Sequence, residues 1–191
     1  MKSALIFIDV QESFRQRPFW SDAELPRFVD RASALLDGCS ALGIPLVRIF
    51  HAPFNAPADS PFAPGSPYVR CMSEFTSWEP AVTFRKAHHS ALVGTDLMPW
   101  LLQQEINRLI IAGIRTEQCC ETTARHASDE GFSVDFVTEA TLTFAMQHPL
   151  SGQTLSPATI YQHTETVLSG RFATLSTVTQ ALQRAQESLF A

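Results

Sequence analysis

The chain has 191 residues, 14 basic and 19 acidic, for a net charge of −5, and 45% of its side chains are apolar. It is long enough to bury an ordinary core and too apolar for disorder, and its scattered charges leave no basic patch for nucleic acid. No apolar run is long enough to cross a bilayer.

The run from Ala4 to Ile8 ends in Asp9 with no small-residue cleavage site after it. It therefore reads as a strand buried on both faces rather than as a signal peptide. The cytoplasm is the expected compartment, and Cys39, Cys71, Cys119 and Cys120, which form no C-x-x-C pair, are expected as thiols. Residues 23–42 carry apolar side chains at steps of three and four, closed by Gly43, and predict a helix. Residues 44–50 predict the second strand. The five prolines between 53 and 67 break every pattern in residues 51–79, a loop long enough to expect a lid, a pocket wall or an oligomer contact. Its aromatic residues Phe54, Phe62, Tyr68 and Trp78 could cover the chain's own pocket or face a partner.

A short third strand at 81–84 leads to Lys86. Beyond it the pattern predicts a helix over 96–104, a strand over 108–112, a helix over 116–130 and a strand over 133–137. A helix over 157–168, a sixth strand over 171–175 and a helix over 178–189 complete the chain. Alternating strands and helices imply an α/β fold, a mostly parallel sheet covered on both faces, in one domain over 1–191.

Ligands of such sheets bind beyond the carboxyl ends of the strands. At the end of the fourth strand Gly113 permits a sharp turn and Thr116 suits an N-cap, which puts Cys119 in the first turn of a helix. There the helix dipole would lower the thiol pKa and free N–H groups could receive an oxyanion. Cys120, in step with Ala124 and Ala127, reads as core. Both cysteines as small buried hydrophobes is an equally good reading of the spacing. Asp9 is a turn former or a carboxylate at the crevice mouth, and Lys86 a surface residue or a charge near a thiolate. His51, His88 and His89 lack diagnostic metal spacing, which favours substrate contact or surface positions.

Four segments together resemble the isochorismatase-like cysteine hydrolases, which include isochorismatases, nicotinamidases and N-carbamoylsarcosine amidases. They are Leu5-Ile6-Phe7-Ile8-Asp9-Val10-Gln11-Glu12-Ser13-Phe14, Lys86-Ala87-His88-His89-Ser90-Ala91-Leu92-Val93-Gly94-Thr95-Asp96-Leu97, Gly113-Ile114-Arg115-Thr116-Glu117-Gln118-Cys119-Cys120-Glu121-Thr122-Thr123-Ala124 and Gly131-Phe132-Ser133-Val134. The resemblance implies a three-layer, Rossmann-like fold with a six-stranded parallel sheet of order 3-2-1-4-5-6 and a triad of Asp9, Lys86 and Cys119. It also implies a cis peptide between Ile114 and Arg115 that aims the N–H groups of Arg115 and Cys119 at an oxyanion. Gln11, Phe14, His51 and His89 are the expected substrate contacts. Where nicotinamidases carry a metal-binding Asp-x-His, this chain reads Phe50-His51-Ala52-Pro53, so neither a metal nor a cofactor is expected.

The expected activity is hydrolysis of a small amide or related C–N bond through a thioester. The alternatives are isochorismatase-type cleavage of a vinyl ether, without an acyl-enzyme, and a catalytically idle binding or assembly member. The expected partners are a small-molecule substrate and further copies of the chain, as a dimer or tetramer, with no membrane and no nucleic acid.

Overall fold

The computed structural model describes residues 1–187, so the last two residues of the helix predicted over 178–189 lie outside the described residues. Six strands form one parallel sheet: β1 (Lys2–Ile8), β2 (Leu46–His51), β3 (Val82–Lys86), β4 (Ile106–Ile114), β5 (Ser133–Leu142) and β8 (Thr174–Leu175). Their spatial order is β3-β2-β1-β4-β5-β8, the expected 3-2-1-4-5-6 when the sheet's own strands are counted. The extra numbers belong to an antiparallel pair, β6 (Met146–Gln147) and β7 (Thr154–Leu155), which hydrophobic patterning does not reveal. The sixth strand is two residues rather than five, because the chain from Leu168 to Ala173 is held by turn hydrogen bonds instead of a ladder.

The helices are α1 (Leu25–Ala41), α2 (Leu97–Gln103), α3 (Glu121–Asp129), α4 (Pro157–Leu168) and α5 (Val178–Glu187). Strand alternation separates two cores. Leu5 and Phe7 of β1 pack with Phe28 and Leu35 of α1 and Ala181 of α5. Ala4, Ile6 and Ile8 face the other way, onto Leu97 and Leu101 of α2, Ala124 and Ala127 of α3, and Leu168 of α4. Among the described residues no helix is long and apolar enough to cross a membrane.

One contact fixes the site. Ile8 of β1 is register partner to Gly113 of β4, and a Cβ on Gly113 would lie 2.1 Å from the Ile8 carbonyl oxygen, at a φ of +133°. Gly113 therefore sits inside a strand and serves close backbone approach rather than the sharp turn expected of it. The two strand ends beyond this contact carry Asp9 and the segment that reaches Cys119.

Candidate active site

Each residue of the expected triad lies at or beyond the carboxyl end of a different strand. Asp9 leaves β1 with φ 54°, a left-handed conformation that aspartate tolerates better than most residues. Lys86 is the last residue of β3 and register partner to His51, the last of β2. Cys119 lies in a five-residue π-type turn, Thr116–Cys120, that opens α3.

The Lys86 ammonium joins them. It lies 2.8 Å from Asp9 Oδ2 and donates to Cys119 Sγ at 3.2 Å and to the His88 carbonyl at 3.1 Å, while His51 Nδ1 stands 3.3 Å away. Asp9 is fully buried, Lys86 is 1% exposed and Cys119 5%.

Burial pushes the Asp9 carboxyl above its ordinary range, against the opposing pull of Lys86. Burial acts to lower Lys86, but Asp9 and Cys119 outweigh it and the ammonium is held above its usual value. Burial and then the Asp9 charge raise the Cys119 thiol, with Lys86 opposing. This overturns the expectation of a thiol lowered by a helix terminus. Burial thus favours the neutral thiol at Cys119 and makes the Asp9 carboxyl more basic than an ordinary aspartate.

The turn that carries Cys119 differs from the sequence reading in its anchors. Thr116 does not cap the helix: the cap position is Arg115, extended and without a side-chain cap bond. Thr116 is buried, and its hydroxyl meets that of Thr141 at 2.7 Å, which ties the turn to β5. Thr143 donates to Glu117 Oε2 at 2.6 Å, and Glu117 Oε1 lies 2.8 Å from Arg115 Nη2. The Arg115 guanidinium packs over the rings of Phe19 and Phe144, at 4.9 and 5.7 Å. Sequence reasoning missed Glu117, Thr141 and Thr143. Their only signal was polarity inside or just past apolar strands.

The Ile114–Arg115 peptide is cis, and the Arg115 N–H donates to no backbone carbonyl among the described residues. Cys120 is fully sealed in the core beside Ala124 and Ala127.

The remaining predicted contacts divide. Gln11 is fully buried and its amide is committed to the fold: Oε1 accepts the His51 N–H at 2.7 Å, while Nε2 donates to the His51 carbonyl at 3.1 Å and to Ser13 Oγ at 2.8 Å. It clamps His51 and has little left for a substrate. Phe14 is buried against Phe62, their ring centroids 5.0 Å apart. His51 is half-buried, near-parallel to His89 at 6.3 Å and edge-on to Phe62 at 5.9 Å. His88 and His89 are exposed.

The long loop is similarly mixed. Phe62 closes over His51, and Trp78 packs on Phe75 and donates to Asp37, whereas Phe54 is 85% exposed. Among the described residues no group of three or more His, Cys, Asp or Glu side chains is arranged to hold a metal ion. A hollow of about 510 Å³ lined by Pro45, Trp78 and Cys39 lies at the opposite, amino-terminal edge of the sheet, away from this chemistry.

The chain is thus an α/β protein with a buried Asp–Lys–Cys cluster at the carboxyl edge of a parallel sheet, and comparison with known proteins gives the family. The isochorismatase domain model matches residues 3–170, and the chain belongs to the isochorismatase family of hydrolases. The uncharacterized isochorismatase family protein YrdC of Bacillus subtilis is 27% identical over 184 residues, 95% of each chain. A crystal structure from Burkholderia xenovorans, assigned to the same family, superposes with a TM-score of 0.85 at 28% identity, over 97% of this chain and 88% of that one. Nicotinamidase 3 of Arabidopsis thaliana is 44% identical over 59 residues, 31% of this chain and 30% of its own.

Proposed function

We propose that the chain hydrolyses a small amide or related C–N bond through a thioester on Cys119. The observation that carries this reading is the single buried ammonium of Lys86 touching both Asp9 and Cys119. As sulfur attacks the carbonyl carbon, Asp9 takes the thiol proton. A carboxyl held above its ordinary range is better matched to that transfer than a normal aspartate. The thiolate gains its stabilisation from Lys86 as the proton leaves.

The carbonyl oxygen becomes an oxyanion facing the N–H groups of Arg115 and Cys119, where one such donor is worth about 10²–10³ in rate. Collapse breaks the C–N bond, and the proton on Asp9 passes to the departing amine. Asp9 then takes a proton from water as it attacks the thioester, and returns it to sulfur when the S–C bond breaks. The likeness of part of the chain to a nicotinamidase supports an amide over other acyl substrates. The reading also takes the protein to work as a homo-oligomer in the cytoplasm.

The test is amine or ammonia release from a panel of small amides, N-carbamoyl compounds, nicotinamide and isochorismate, with wild type and Cys119→Ala. A loss of at least about 10³-fold in the variant is expected. Turnover of isochorismate alone that survives the substitution would replace amide hydrolysis with vinyl ether cleavage.

A further inference from the structure

Lys86 fixes more than the thiol and the carboxylate. An ammonium can only donate, so a proton on His51 Nδ1, 3.3 Å away, would oppose it, and the contact favours an unprotonated Nδ1 that shares the three hydrogens with Asp9, Cys119 and the His88 carbonyl. A neutral imidazole with Nδ1 unprotonated carries its proton on Nε2. The ring stays neutral because burial, then Lys86, His89 and His88, hold its pKa down to about 3.

Its backbone is equally constrained, since Gln11 grips both the N–H and the carbonyl of His51. Nε2 donates to no group among the described residues, and it is not sealed from solvent. The result is an oriented hydrogen-bond donor beside the nucleophile, unused by the fold and by the mechanism above.

Building on the assignment of Cys119 as the reacting group, we infer that His51 is a specificity-determining residue: its Nε2–H selects small amides that carry a second hydrogen-bond acceptor beyond the scissile carbonyl. A site with a waiting donor disfavours an analogue that offers a methyl group there, because the donor is left without a partner. Phe62 and His89 flank the ring and limit its movement.

Acetoacetamide and 3-methylbutanamide provide the comparison, since they are of similar size and carry a keto oxygen and a methyl group, respectively, on the same carbon. Each is tested for protection of Cys119 against alkylation by iodoacetamide, which requires binding and not turnover. About tenfold better protection by acetoacetamide is expected in wild type, and a ratio near one in His51→Phe. Equal protection by the two amides in wild type overturns the inference. Nitrogen NMR of the histidines gives a second readout, independent of activity. The His51 signal should report a neutral ring protonated at Nε2 from pH 5 to 8, and an Nδ1–H ring or a titration within that range also overturns it. Failure of the hydrolase reading is separate: it would show as no turnover of any amide while the protection ratio persists.

Discussion

Lys86 has four acceptors within reach of three hydrogens, and the two with which it would share a charge, Asp9 and Cys119, are buried with it. Removing it strands the Asp9 carboxylate in the interior, an error that costs about 3–5 kcal/mol when the charge has no other partner. Asp9 can escape that cost by binding a proton. Lys86→Met is therefore expected to be destabilised most at pH 8 and progressively less toward pH 5, as read by urea unfolding at the two values.

His51 gives the opposite pH dependence. Its folded pKa, about 3, lies below the ordinary 6.5, so in that window the unfolded chain binds a proton that the folded ring refuses. Stability then falls as pH is lowered from 6.5 toward 3. His51→Phe should flatten this acid loss in the same unfolding assay, and an unchanged slope would contradict the assignment of a neutral ring.

At the scale of elements, the decisive contact is the approach of β4 to β1 at Gly113. Alanine there places a methyl group against the Ile8 carbonyl in a backbone conformation that side chains rarely adopt. A loss of about 2–5 kcal/mol is expected from combined overpacking and strain. Activity should drop by about 100-fold even where the variant folds, since displacement by an ångström is enough to lose alignment. Thermal unfolding and the rate of Cys119 alkylation measure the two effects separately.

Much of this region was legible in the sequence. Apolar runs ending in Asp9 and in Gly113 marked two strand ends, and a cysteine shortly after the second marked the turn. The anchoring of that turn was not legible. Thr116 has the residue type of an N-cap, yet its hydroxyl is taken by Thr141, far along the chain. Local propensity cannot foresee a partner brought in by strand pairing. Gln11 illustrates the same limit, because its type and position fitted a ligand contact while its amide completes the backbone of β2.

For the molecule as a whole, the parallel α/β class followed from alternating strand and helix patterns, because each strand buried on both faces leaves a continuous apolar signature, whereas the strand order came from the family resemblance. Where burial weakens, so did the reading. The strands β6, β7 and β8 have two residues each, too few for any periodicity. The thiol's electrostatics were beyond reach for a related reason: a helix terminus is visible in sequence, but the degree of desolvation that overrides it is a property of the packed molecule.

The position of β3 at the margin of the sheet has a kinetic consequence. It pairs with β2 alone, and most of its residues are partly or fully exposed, although its last residue is Lys86. Asp9 and Cys119 follow the central strands β1 and β4, so the Lys86 ammonium rests on an element with less lateral support than theirs. Marginal strands open at a lower free energy than the centre. Mild urea should therefore extinguish turnover, and change the alkylation rate of Cys119, at concentrations where circular dichroism still reports an intact fold. Dilution should restore both at once, since the central strands would never have parted.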